Sequence, residues 1–108
     1  MNSRILSAVF FVSFVAATPA VSYQGFEADY SNCTTGQGKI SNADVVKACS
    51  RLIKNAAKEN ETVGFFHALR ASANNDKKSN CRDAHKARKL IKDPKLTGSI
   101  NALIKANC

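Results

Sequence analysis

The sequence contains no tryptophan, one methionine (its first residue), two prolines and two histidines among 108 residues. No segment alternates apolar and polar residues convincingly, and the hairpin dipeptide Asn-Gly is absent, so nothing supports a sheet. No C-x-x-C pair occurs, which argues against the close ligand spacing of structural zinc sites. Gly36-Gln37-Gly38-Lys39 falls short of the G-x-x-x-x-G-K-[ST] phosphate loop and follows no strand. There is no nucleophile elbow and no paired-carboxylate arrangement. The two histidines, His67 and His85, carry no local motif. These absences imply a non-enzymatic protein with no cofactor and no metal. After residue 22 no run is apolar enough to span a bilayer.

Charge is also missing from the start of the chain. Arg4 is the only charged side chain before residue 27. Behind it lies the apolar run Ile5 to Ala17, thirteen residues long, which suits the core of an export signal but not a spanning helix. Pro19 then breaks the helix, and Ala20 and Ser22 place small residues at −3 and −1 of a cut before Tyr23. Residues 1–22 therefore read as a cleavable signal peptide, which implies a secreted or periplasmic protein. The remaining 86 residues carry fifteen basic and eight acidic side chains, a net charge of +7. Residues 23–65 are neutral, with five of each sign; residues 66–108 carry ten basic and three acidic side chains.

Cys33, Cys49, Cys81 and Cys108 all fall in the mature part, at intervals of 16, 32 and 27 residues. An even number in a small exported chain points to disulfides. Of the three possible connectivities, Cys33–Cys49 with Cys81–Cys108 suits the helices read below.

Residues 23–40 mix Gly, Ser, Thr and Asn and are expected to form an irregular leader anchored by Phe26 and Tyr30. Residues 41–108 are expected to form the helical domain. Ser41 caps the first helix, whose apolar stripe runs through Val45, Val46, Cys49, Leu52, Ile53 and Ala56. Thr62 is the expected cap of a second helix, with Val63, Phe66, Leu69 and Ala73 inside and Phe65 on the flank. Gly64 weakens it unless a neighbour packs closely there. Ser79 or Asn80 should cap a third helix with a small-residue face, Ala84, Ala87, Leu90 and Ile91, ended by Asp93-Pro94. Ser99 opens a short last helix. The fold class is thus all-α: a disulfide-stapled bundle of about four helices in two antiparallel hairpins.

Basic residues concentrate on the third helix. Lys78, Arg82, Lys86 and Lys89 recur at spacings of three and four and share a face. That stripe is the candidate binding site, for an acidic protein or an anionic envelope or glycan surface. No aromatic residues interleave it, so specific nucleic-acid binding is not expected. Two rivals stand beside this reading. One is a secreted toxin, effector or antimicrobial protein acting on membranes; the other is a small secreted hydrolase such as a ribonuclease, using His67 and His85 as base and acid. Asn32-Cys33-Thr34 and Asn60-Glu61-Thr62 match the glycosylation acceptor pattern.

The leader cysteine followed by Val46-Lys47-Ala48-Cys49-Ser50-Arg51-Leu52-Ile53 resembles exported bacterial tetratricopeptide-repeat proteins, where a cysteine, a spacer and an ACTRLI segment precede the repeats. Phe65-Phe66, Arg70-Ala71-Ser72-Ala73 and Leu90-Ile91-Lys92-Asp93-Pro94 stand where that family has its aromatic, its RGxA and its AIxLDP. The resemblance covers residues 33–94 and implies a helical scaffold for protein binding. A lone repeat cannot bury its own face, so the disulfides and the helix over 99–107 would serve as its cap.

Overall fold

The computed structural model describes residues 23–108, and every regular element within them is a helix. The proposed signal, residues 1–22, lies outside the described residues. Five helices follow one another: α1 (Phe26–Thr35), α2 (Asn42–Lys54), α3 (Glu61–Ala73), α4 (Lys77–Leu90) and α5 (Pro94–Asn107). Each packs on its chain neighbours, α1 also reaches α3, and α3 reaches α5. No helix among the described residues is long and apolar enough to cross a membrane.

The leader is where the expectation fails. Residues 26–35 form a helix, entered through Gly25 at φ 92° with no side-chain cap. Phe26, Tyr30 and Cys33 lie on its inner face, as does Asp29. Asp29 is held there by Arg51 of α2, whose Nε and Nη2 donate to the carboxylate at 2.7–3.1 Å, and by the Tyr23 hydroxyl. The Arg51 hydrogen bonds hold the Asp29 carboxyl below the usual range against the opposing effect of burial, with Tyr23 adding to the lowering. The anchoring role expected of Phe26 and Tyr30 is met, because both pack on the core and Tyr30 stands edge-on to Phe66, 6.1 Å between centroids.

Helix starts follow local chemistry, with shifts from the expected caps. Ser41 caps α2 by accepting from the Asp44 N–H at 3.1 Å, as expected. Asn60 rather than Thr62 caps α3, accepting from the Val63 N–H. Helix α4 begins at Lys77 behind Asp76, three residues before Asn80, which is buried and bridges Asn74 and Asn107 instead. Asp93-Pro94 does not merely close the preceding helix. Asp93 caps α5 through the Lys95 N–H and Pro94 takes its first turn, so α5 starts five residues before Ser99. Glu61, at the head of α3, accepts from the Lys92 and Asp93 N–H groups and pins the α4–α5 connection.

Two apolar clusters result. Cys33, Val45, Ala48, Cys49, Leu52, Phe66 and Ala73 join α1, α2 and α3. Ala87, Ile91 and Ile100, with Ala68, Leu96 and Ile104 against them, join α3, α4 and α5. Both expected disulfides are present: Cys33–Cys49 ties α1 to α2, and Cys81–Cys108 ties the start of α4 to the end of α5.

Gly64 shows why close packing is needed at its position. A Cβ there would stand 2.8 Å from the Leu90 Cβ and 3.0 Å from the Ile91 Cγ1. Helix propensity alone would favour alanine by about 1 kcal/mol, but pushing α3 off the end of α4 costs more. Gly64→Ala should therefore lower stability by about 1–2 kcal/mol in urea unfolding. An increase would mean that the α3–α4 contact yields freely.

Candidate binding face

The chemistry of α4 is divided between its two sides. Its inner side carries Asn80, Asp83, Ala84 and Ala87, all buried. Asp83 is the only acid among its fourteen residues, against six lysines and arginines. Its carboxylate is 5 % exposed and is gripped by α3: Arg70 donates from Nε to Oδ2 at 2.8 Å and from Nη2 to Oδ1 at 2.7 Å. The Nδ1 of His67 stands 2.8 Å from Oδ1. Arg70 also donates from Nη1 to the Ser50 hydroxyl of α2, so one buried cluster joins three helices. Burial pushes the Asp83 carboxyl up, but the hydrogen bonds from Arg70 and His67, then their charges, bring it below the ordinary value.

Drawing Asp83 inward leaves the outer side of α4 without an acid. Lys78, Arg82 and Lys89 are exposed there, and His85 lies among them. None of these four forms an ion pair among the described residues, although Lys89 is close enough to Glu59 to help lower its pKa. Lys86, counted with them in the sequence, departs from the row. Its ammonium pairs with the Glu59 carboxylate at 2.9 Å, beside α3, and that hydrogen bond lowers the Glu59 pKa. At the other edge, Arg88 reaches Asn101 of α5. The stripe of Lys78, Arg82, Lys86 and Lys89 is thus three cations plus one neutralised lysine. His85, one turn from Arg82 and Lys89, fills the gap. Its place could have been read from the spacing.

No family model, curated protein or solved structure matches this chain.

The histidines have different surroundings. His67 is buried against Asp83, whereas His85 is exposed. Asp83 and His85 project about 200° apart around α4, so they form no dyad. The Asp83–His67–Arg70 cluster leaves only a faint mark on the sequence. Its trace is the i, i+3 pair His67 and Arg70, which share a helix face, but the partner acid lies on another helix. For metal ligation, one group stands out among the described residues: Cys81, His85 and Cys108, whose ligand atoms all lie within 4.8 Å of one another. In the oxidised chain both sulfurs are bonded to each other. Asn60 uses its side chain as a cap, and Asn32 lies within α1, so both acceptor motifs sit in helical settings.

Proposed function

We propose that the protein is an exported, non-enzymatic binding module that docks the outer face of α4 onto an acidic macromolecular surface. The observation that carries this reading is the sorting of charge on α4. Asp83 is drawn into the core by Arg70, and Lys78, Arg82 and Lys89 remain exposed outside without forming an ion pair among the described residues, although Lys89 lies within electrostatic reach of Glu59. From Lys78 to Lys89 the row extends about 16 Å along the helix. Screening confines its reach to about 8 Å at physiological salt, so it acts on a partner in contact rather than at a distance. No aromatic or large aliphatic side chain interrupts the outer face, which favours charge pairing over insertion into a bilayer. The two disulfides suit an oxidising, extracytoplasmic compartment. Helices stacked in chain order are also the setting that the tetratricopeptide resemblance implies for a protein-binding scaffold.

The test compares two triple variants of equal net charge. Lys78→Glu/Arg82→Glu/Lys89→Glu alters the proposed face; Lys39→Glu/Lys47→Glu/Lys54→Glu alters exposed lysines on other parts of the chain. Binding to an acidic polypeptide, a sulfated glycan and anionic vesicles is measured as a function of salt. The first triple should weaken binding at least about tenfold and flatten its salt dependence, with a smaller effect from the second. Equal losses would reduce the face to bulk charge. Leakage of anionic vesicles by the wild type would favour the membrane-active reading instead.

A further inference from the structure

At the corner where α4 begins and α5 ends, three metal-binding side chains converge. Cys81 and His85 are one turn apart on α4, and Cys108 follows the last turn of α5. The spacing of cysteines along the sequence argued against zinc, but the antiparallel pairing of α4 and α5 makes residues 81 and 108 neighbours. The two disulfides differ in accessibility. Cys33 and Cys49 are both 0 % exposed, whereas Cys81 is half-buried and Cys108 exposed. Thiolate attack on a disulfide requires access to a sulfur, so an incoming dithiol reaches Cys81–Cys108 and not the buried bridge.

We infer that Cys81, His85 and Cys108 form a redox-gated site for a thiophilic divalent cation, represented by Zn²⁺, which opens when a dithiol reduces the Cys81–Cys108 bridge. In the first step the S–S bond breaks, the two sulfurs take up two electrons and two protons, and the dithiol leaves as its cyclic disulfide. In the second, Zn²⁺ replaces the two thiol protons and His85 supplies a ring-nitrogen lone pair. Two thiolates and an imidazole suit zinc, and three protein ligands leave a fourth position to water. Tetrahedral coordination needs sulfurs about 3.8 Å apart. The ligand atoms already lie within 4.8 Å of one another, and Cys108 is exposed at the end of α5. His85 is also exposed and makes no hydrogen bond among the described residues, so its ring nitrogens are open to a metal.

The corner does not depend on the disulfide alone. Asn80, beside Cys81, donates to the Asn74 carbonyl and to the Asn107 side chain, and the Cys108 N–H caps α5 on the Ile104 carbonyl. Ile100 and Ile104 hold the same helix on the second cluster. Reduction therefore leaves the ligands near one another.

The experiment uses the chain from Tyr23 to Cys108 and a limiting phosphine, because dithiols bind zinc themselves. The phosphine leaves as its oxide, with oxygen from water. Alkylation and mass mapping should find Cys81 and Cys108 reduced first, with Cys33–Cys49 intact. The reduced chain should then bind one Zn²⁺, seen by native mass spectrometry and chelator competition. Co²⁺ in its place should show thiolate charge-transfer and tetrahedral bands. His85→Gln should leave the rate of reduction unchanged and weaken zinc binding by about 100-fold, because one of three ligands is lost. Far-UV circular dichroism follows the fold throughout. Prior reduction of Cys33–Cys49, absence of zinc binding, equal affinity in His85→Gln, or helix loss on selective reduction that zinc does not reverse would each overturn the assignment.

Discussion

Asp83→Ala is expected to lower the unfolding free energy by about 3–4 kcal/mol, a large share of what a domain of this size has in hand. The carboxylate is buried between Arg70 and His67, and Arg70 also reaches Ser50. Removing it leaves a half-buried guanidinium without its counter-charge, which costs more than the pair contributes over an apolar replacement. Arg70 keeps part of its surface in water, which holds the cost toward the low end of that range. Arg70→Leu/Asp83→Leu should therefore lose less than the two single changes combined, a coupling that a double-mutant cycle in urea measures directly. Additive losses would show that the pair is not acting as a unit.

The same carboxylate sets an acid limb. Because the folded-state pKa of Asp83 lies below its unfolded value, the native state binds fewer protons, and its contribution is complete only above the unfolded pKa of about 4. It is lost as pH falls through the folded value. Asp29, lowered chiefly by the Arg51 hydrogen bonds, adds a second contribution of the same sign. Wild-type stability should fall below about pH 4, and Asp83→Asn should flatten part of that fall while leaving the share due to Asp29. An unchanged acid limb in the variant would remove Asp83 from this role.

These two aspartates also mark the boundary of what the sequence makes legible. Helices α2 and α3 are readable because Ser41 is a strong cap and apolar residues recur at helical spacing in both, at Val45, Cys49 and Leu52 and at Val63, Phe66 and Leu69. The disulfide pairing follows from helix direction, since Cys81 and Cys108 fall at opposite ends of consecutive helices. Helix α1 is obscured because Asp29 occupies an inward position between Phe26, Tyr30 and Cys33, where periodicity expects an apolar residue. Its neighbours Ser31, Asn32, Thr34 and Thr35 are also weak helix formers. The stripe at 26, 30 and 33 was present, but its polar member only makes sense beside Arg51. Asp83 is hidden for the same reason. A single acid in a basic helix reads as surface, and only Arg70 and His67 on the facing helix give it a reason to turn inward. The basic face was legible as a set of residues, but the diversion of Lys86 to Glu59 depends on how α3 and α4 meet.

Helix α1 gives the second large effect. It has ten residues, no side-chain cap and a mixed polar sequence, so it is too short to be stable alone. What holds it is Cys33–Cys49, the Asp29–Arg51 pair and the aromatic contacts from Tyr23 to Phe66. Loop entropy assigns about 3 kcal/mol to a closure of 16 residues and slightly more to the 27 residues between Cys81 and Cys108. On that count alone the second bridge would matter more. Burial reverses the order, because both sulfurs of the first bridge lie in the core cluster and their removal leaves space beside Val45 and Leu52. Cys33→Ala/Cys49→Ala should cost about 4 kcal/mol, including roughly 1 kcal/mol of lost packing, and should speed amide exchange across residues 26–35. Cys81→Ala/Cys108→Ala should cost about 3.5 kcal/mol and leave exchange in α1 unaltered, because Cys81 is only half-buried, Cys108 is exposed and Asn80 still holds the corner. A larger loss from the second pair, measured under the same denaturant, would show that loop length outweighs burial in this domain.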